Sequence, residues 1–522
     1  MAKQMNLGLD FGSSNTLVAF FDEIESKPSV AEIGEERRQP SVVILNDNQL
    51  EYGVAAKKRA HLKRSFRAFK MLLAENDINH IQKYGYDEKY TPSLITKDFI
   101  NFILESTLSR YKGDKINRLV ISVPEIWREK ISTVDAIPML SGICSAYEYV
   151  KEVKVISEPE AATAYFTYLY QKANKAHFEG HVLMIDYGGG TLDITLTEVT
   201  PTKDKKAVQI KTVARTGSGE NQSNMIGKAG IAYIEEVVKT IFTKKGYCEN
   251  GVVKEKYKKP YVMALNSFET SLNLYGDKIR KYFNENKNTV KHKSYEEQMS
   301  PLYIEIDYNE ENISYRTLYE CYEKVIQGTL KESLVEIKRL IEESNERLQI
   351  SSKINILSPL QDNFKIILVG GFSQFSLVEE QVKKFFKYNK SRDLRFDNDY
   401  ITGEVRCDSI GLGGALVAQG IVQLKTVAPF SIGIPVGNDH AFAFITNKDI
   451  EYGKEYFIKD AIGEEMLFCG NNFKHLSINT TTNSKKTIHK EIKGELKDKL
   501  SQFGSDDQLI KIAFSLSSNQ TL

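Results

Sequence analysis

The sequence has no stretch approaching about 18 consecutive apolar residues, so no helix is expected to cross a membrane. It has no C-x-x-C pair either: Cys144, Cys248, Cys321, Cys407 and Cys469 lie far apart. That scatter excludes a cysteine-built zinc site or disulfide framework and suits a reducing compartment. A charged-then-apolar leader is lacking, since strand-forming residues begin almost at once, and a cytoplasmic location is expected. Charge of one sign is lacking too. A net charge of +1 gives no reason to invoke nucleic acid or an anionic membrane. The lysine runs Lys57-Lys58-Arg59 and Lys203-Asp204-Lys205-Lys206 are read as solvated faces. Gly227-Lys228-Ala229 looks like the tail of a P-loop, but Gln222 stands where the leading glycine is required. His177 and His181 have helical spacing, yet Gly180 interrupts it, and both are read as solvated turn residues.

What is present is a soluble globular composition, 41% hydrophobic and 27% charged, in a chain too long for one core. Two segments share a design. Leu7-Gly8-Leu9-Asp10-Phe11-Gly12-Ser13-Ser14-Asn15-Thr16 runs into apolar residues, and so does Leu183-Met184-Ile185-Asp186-Tyr187-Gly188-Gly189-Gly190-Thr191-Leu192-Asp193. In each, a strand ends in aspartate, an aromatic residue and a glycine turn, and a second strand follows. Each therefore reads as a hairpin, which excludes a Rossmann or P-loop reading in which the glycines must open a helix. Paired hairpins with an acidic residue at each mouth suit a cleft that grips a metal-bound polyphosphate from two sides.

Along the chain, Pro40 to Leu45 reads as a strand, and residues 53–112 change to helical spacing with Phe99, Phe102, Ile103 and Leu108 as the stripe. Leu119 to Val123 is a buried strand closed by Pro124. Ser157-Glu158-Pro159-Glu160 introduces a helix from Ala161 to Tyr170, with proline where a first turn tolerates it. Helical regions are expected from Gly230 to Phe283, broken near Gly246 to Pro260, and from Tyr315 to Leu348. Ile366 to Gly371 is a strand and glycine turn before a helix from Ser376 to Phe386. Asp408 to Ala415 opens a helix of small residues. From about residue 428 short strand-like runs alternate with polar turns: Phe430 to Val436, His440 to Thr446, Leu476 to Thr480 and Leu509 to Leu516. The expected division is 1–420 as one large domain, 421–427 as a short linker and 428–522 as a small antiparallel β-domain.

The order of these segments resembles the seventy-kilodalton heat-shock (DnaK-type) chaperones. The blocks that carry it are the Asp10 hairpin, Ser157 to Ala162, the Asp186 hairpin, Val369-Gly370-Gly371-Phe372-Ser373, the Gly411 to Ala415 helix and, later, Ala428-Pro429-Phe430-Ser431-Ile432-Gly433-Ile434. The resemblance implies an α/β fold of the actin-like ATPase class, two lobes around a nucleotide cleft, followed by a β-sandwich for peptide binding. It implies ATP or ADP with Mg²⁺ as cofactors, and slow hydrolysis coupled to the binding of unfolded or extended peptide segments. A J-domain co-chaperone and a nucleotide exchange factor are the implied partners.

On that reading Gly12, Gly188, Gly189 and Gly190 let the backbone approach phosphates, and Ser13, Ser14, Asn15 and Thr191 offer polar groups to them. Asp10 and Asp186 suit a hydrated Mg²⁺. Lys70 matches the family lysine beside the attacking water, and Glu158 would orient that water or the shell of the metal. Asp186 and Thr191 join them as the implied catalytic residues, with Asp193 flanking the terminal phosphate. Asp277, Arg280 and Lys281 would pack on the adenosine, and Gly370, Gly371, Phe372 and Ser373 would close the cofactor site. Departures accompany the match. Gln374 stands where the family has an adenine-stacking arginine, Asn284 where it has a serine, and Ser132 where an arginine follows Pro124. The linker is reduced to Ile421-Val422-Gln423-Leu424-Lys425, and no helical lid is recognised. They point to an alternative, an actin-like scaffold or regulatory ATPase with a dedicated protein partner. A metabolite kinase of the same superfamily is a third reading, without a sugar-binding block to support it.

Overall fold

A computed structural model describes residues 3–424 except 74, 76, 83, 125–126, 128–135, 203–207, 219–228, 286–297, 348–353, 355–357, 359, 390–391, 397–399 and 404. Beyond that it describes residues 427–428, 430–436, 441–444, 450–451, 455–457, 464–468, 477–482, 487–491, 510–511 and 513–515. Ser132, Lys203 to Lys206, Gln222, Gly227, Lys228, Lys425, Thr426, Pro429, His440 and Cys469 lie outside the described residues. The chain falls into two compact units, Met1–Trp127 with Met139–Leu424, and Arg128–Pro138 with Lys425–Leu522. Among the described residues no helix is long and apolar enough to cross a membrane.

The first unit is built on one arrangement used twice. Strand Gln4–Phe11 pairs antiparallel with Asn15–Asp22 and parallel with Lys115–Val123. Strand Gly180–Tyr187 pairs antiparallel with Leu192–Pro201 and parallel with Phe364–Val369. The first sheet continues to Lys27–Val30 on one side and Val153–Ser157 on the other, the second to Val208–Ser218. Parallel strands are covered on both faces, and the run Leu119, Val120, Ile121 and Val123 is accordingly fully buried.

Helices position the sheets' mouths. The helix Glu158–Asn174 begins with a capping box, in which Ser157 Oγ accepts from Glu160 N at 3.3 Å and Ser157 N donates to Glu160 Oε2 at 2.9 Å. That reciprocal pair fixes where the first turn starts, and so where Glu158 points. The helix Val405–Gln419 lies against it so closely that a Cβ on Gly413 would stand 1.7 Å from Ala161 O.

Several expectations need correction. Residues 53–112 are not helical throughout: helix Gly53–Arg59 is followed by strand Arg64–Phe66, which pairs with Val43–Asn46, before helix Pro92–Tyr111. Lys70 sits in a turn between them. The strand Val208–Ser218 and the hairpin Met299–Ile306 with Asn309–Ser314 have no counterpart in the sequence reading. In the hairpin the inward residues Leu302, Ile304 and Ile306 alternate, but Pro301 and charged neighbours keep the pattern short. His181 is not a solvated turn residue. It lies in strand Gly180–Tyr187, is buried, and burial pushes its imidazole below the usual range.

In the second unit the described strands form an antiparallel sheet in the order Ala441–Phe444, Phe430–Val436, Ser477–Thr482, Thr487–Glu491. Three shorter pairs accompany it: Val427–Ala428 with Ile450–Glu451, Glu455–Phe457 with Ala513–Ser515, and Leu467–Phe468 with Ile510–Lys511.

Candidate functional site

The two glycine turns face each other. Phe11 pairs with Thr16 to close the first, and Gly188 N donates to Thr191 O at 3.0 Å to close the second. A Cβ on Gly189 would lie 2.0 Å from Ser14 Oγ, and one on Gly190 would lie 2.7 Å from Ser13 Oγ. The Ser13 and Ser14 hydroxyls thus meet the bare backbone of Gly189 and Gly190, where no further side chain fits, and backbone amides share the lining of the gap with those hydroxyls. A cleft of about 1110 Å³ opens there within the first unit. Its walls include Asp10, Gly12, Ser13, Ser14, Asn15, Lys70, Glu158, Asp186, Gly188, Gly189, Gly190 and Thr191 from the expected set. Asp277, Arg280, Gly370, Gly371 and Phe372 line it farther along.

Three expected residues are not brought to that wall. Asp193 is buried behind it, in register with Asp186. Ser373 is buried and its Oγ donates to Gly370 O at 2.8 Å, closing the turn from behind. Lys281 is solvent-exposed, its ammonium 4.0 Å from Glu285.

At the centre, Lys70 Nζ donates to Glu158 Oε1 at 2.6 Å, with both side chains buried. Burial alone would lower the Lys70 ammonium, but Glu158, Asp10 and Asp186 outweigh it and hold the pKa above the usual range. Burial, then the Glu158 charge, pushes the Asp10 carboxyl up to about 7. Burial, with Glu158, Asp193 and Asp10 adding to it, raises Asp186 well above the carboxylate range. Buried carboxylates thus outnumber the one ammonium among them, and a dication is the group that such a set accommodates. Among the described residues no group of three or more His, Cys, Asp or Glu side chains is arranged to hold a metal by itself. Mg²⁺ needs no such cage, since it keeps waters and takes substrate phosphates.

Gly370 explains how Asp186 keeps its place. It has φ +81°, and a Cβ there would lie 2.4 Å from Asp186 Oδ1 and 2.7 Å from Tyr187 O. Only glycine fits both the conformation and the space. Phe372 then packs edge-on against Tyr187 at 5.2 Å, locking the turn to the second hairpin. At the far end Arg280 Nη2 donates to Gln374 O at 2.9 Å, while Arg280 Nε is buried with no partner. Gln374 turns its amide to Cys407 Sγ at 2.9 Å.

Comparison with known proteins gives this cleft its context. The family profile described as "Hsp70 protein" matches residues 6–204, which include both hairpins, Lys70 and Glu158. This part of the chain is similar to the Hsp70 family. Two curated relatives, each named "Chaperone protein DnaK" and each from a strain of Ureaplasma parvum serovar 3, are 31% identical over 210 residues. The matched region covers 38% of this chain and spans 30% of the length of those relatives.

Other residues of the cleft were not expected there. Arg38, Lys57, His61, Tyr303, Tyr308 and Cys407 all line it. Lys57 Nζ meets Glu269 Oε2 at 2.7 Å, both in the cleft wall, and Arg67 Nη2 meets Asn266 Oδ1 at 2.6 Å. Lys57 and Lys58, read from the sequence as part of a solvated face, instead line the cleft.

Proposed function

We propose that the chain is a magnesium-nucleotide-dependent ATPase of the Hsp70 kind, with the actin-like fold, whose hydrolysis step regulates polypeptide binding by residues 428–522. One observation carries it: the two glycine turns meet over a single cleft with Asp10 and Asp186 at their mouths. The gap between the turns, the surplus of buried carboxylate and the unpartnered Arg280 Nε fit a magnesium-bound polyphosphate with a base at the far end. Mg²⁺, when bound, supplies positive charge to the phosphates. Asp10 and Asp186 are the residues that would hold it, through its waters.

The protein's own share of catalysis is placement and charge. Amides of the two turns orient the phosphates, with Ser13, Ser14 and Thr191 as hydroxyl donors. Lys70, anchored on Glu158, neutralises charge on the terminal phosphate and positions a water for in-line attack. That attack forms the new P–O bond and breaks the bond to the diphosphate, releasing ADP and phosphate with no covalent protein intermediate. Extended peptides, a J-domain protein and an exchange factor are the partners in this reading, and the cytoplasm its compartment.

ATP binding and hydrolysis by the wild type beside Lys70→Ala and Asp186→Ala test it. Loss of turnover in both is expected, and unchanged turnover in either rejects that residue's role. A second reading, a scaffold or regulatory ATPase with one dedicated protein partner, is favoured by Gln374, whose amide is spent on Cys407. Turnover that ignores both unfolded peptide and a J-domain protein would select it.

A further inference from the structure

Lys70 is tied to Glu158, so the cleft's phosphate end holds a second cation for which the mechanism above has no use. Residues 36–40 run beside the first glycine turn. Asn15 pairs with Pro40, Ser41 N donates to Ser14 O at 2.8 Å, and Ser41 Oγ donates to Gly12 O at 2.6 Å. This segment brings Arg38 into the cleft wall. Its Nε donates to Asp408 Oδ1 at 2.7 Å, and Arg37 Nη2 stands 3.3 Å from Asp408 Oδ2.

Asp408 is only 4% exposed and sits in the first turn of the helix Val405–Gln419. The same helix start accepts from the glycine turn beside Asp186, since Gly370 N donates to Arg406 O at 3.1 Å. Arg38 thus stands where the first hairpin, the helix start and the Asp186 side converge. Two guanidinium groups meet one buried carboxylate, with Asp10 and Glu36 in the same wall, beside amides suited to an anion. Arg38 remains 29% exposed, toward the cleft it lines. A buried carboxylate holding Nε fixes the plane of the guanidinium, a group whose N–H donors recognise phosphate oxygens. A triphosphate carries more negative charge than a diphosphate, so a cation at this end discriminates between them.

We propose that Arg38 contacts the terminal phosphate of a nucleoside triphosphate in this cleft and sets its preference for triphosphate over diphosphate. The inference rests on the cleft being a magnesium-nucleotide site. The test is displacement of a fluorescent ADP analogue from the full chain by Mg-ATP and by Mg-ADP, in wild type, Arg38→Gln, Arg38→Lys and Arg37→Gln. Thermal unfolding without nucleotide is measured alongside.

Arg38→Gln is expected to weaken Mg-ATP by roughly 10-fold and Mg-ADP by less than roughly 2-fold, the scale of one charge-assisted contact. Arg38→Lys is expected to show an intermediate loss for Mg-ATP, and Arg37→Gln to leave the ratio of the two affinities alone. Equal weakening of both nucleotides by Arg38→Gln, or of neither, overturns the proposal and leaves Arg38 as a brace for Asp408. Should Arg38→Gln be unfolded before nucleotide is added, Arg38→Lys decides, and a wild-type ratio there overturns it. A wild type that binds neither nucleotide defeats the nucleotide reading itself, an outcome distinct from the others.

Discussion

Gly189 stands so close to Ser14 that a single added carbon would lie 2.0 Å from the serine oxygen. The two halves of the first unit therefore meet through their glycine turns, and the space between them is shaped by what those turns lack. Gly189→Ala is expected to force the turns apart while the surrounding sheets keep their pairing. The fold should lose about 1–3 kcal/mol, the usual cost of overpacking. Nucleotide affinity should fall by more than the stability does. Titration calorimetry beside chemical unfolding checks this, and a wild-type nucleotide affinity in the variant would contradict it.

Lys70 and Glu158 form a buried pair 2.6 Å apart, so removing one partner strands a charge. Lys70→Met is expected to destabilise the nucleotide-free protein by about 3–5 kcal/mol. The double variant Lys70→Met/Glu158→Gln should regain most of that stability and none of the turnover. Urea unfolding and single-turnover hydrolysis separate the two effects. A double variant as unstable as the single one would show that the pair does not act as a unit.

A carboxylate away from the cleft sets a pH dependence. Burial alone would raise the Glu379 carboxyl, but Arg406 at 3.0 Å and Lys383 at 2.6 Å outweigh it and hold it at about 2. A carboxyl depressed on folding stabilises the protein above its unfolded pKa of 4.5, and that gain disappears as pH falls through about 2. Glu379→Gln should therefore cost about 1–3 kcal/mol at neutral pH. The gap between variant and wild type should narrow steadily below pH ~4.5. Urea midpoints compared at neutral and acid pH give the answer, and a gap that is constant into the acid range would refute the assignment.

Helix packing at Gly413 gives a stability prediction with no link to nucleotide. Its missing Cβ is what lets the backbone pass Ala161 O. Gly413→Ala is expected to destabilise the first unit by roughly 3 kcal/mol, despite the better helix propensity of alanine. Thermal unfolding that is unchanged or raised would mean that the helices separate at little cost.

The hairpins, the helix start at Ser157-Glu158-Pro159-Glu160 and the small-residue helix were legible because each rests on local chemistry. A glycine turn, a proline in a first helical turn and a run of small residues announce themselves within a few positions. The site was legible to the same extent, since Asp10, Asp186 and Glu158 sit at element ends that local pattern defines. Lys70 had no such frame. It lies in a turn after the short strand Arg64–Phe66, where neither period applies, and only resemblance singled it out. Arg38 and Asp408 are brought together from distant parts of the chain, a long-range pairing that no local spacing encodes. Lys281 was mistaken for a cleft residue because its helix does reach the cleft, through Asp277 and Arg280, while its own side chain faces solvent.

The central claim is that Asp10 and Asp186 serve one shared magnesium nucleotide. Calorimetric ATP titrations with Mg²⁺ and with chelator, on wild type, Asp10→Asn, Asp186→Asn and the double variant, test it most directly. The account predicts that either single substitution removes the Mg²⁺-dependent gain in affinity and that the double variant loses no more. Survival of the gain in both single variants, or losses that add as for independent sites, would contradict it.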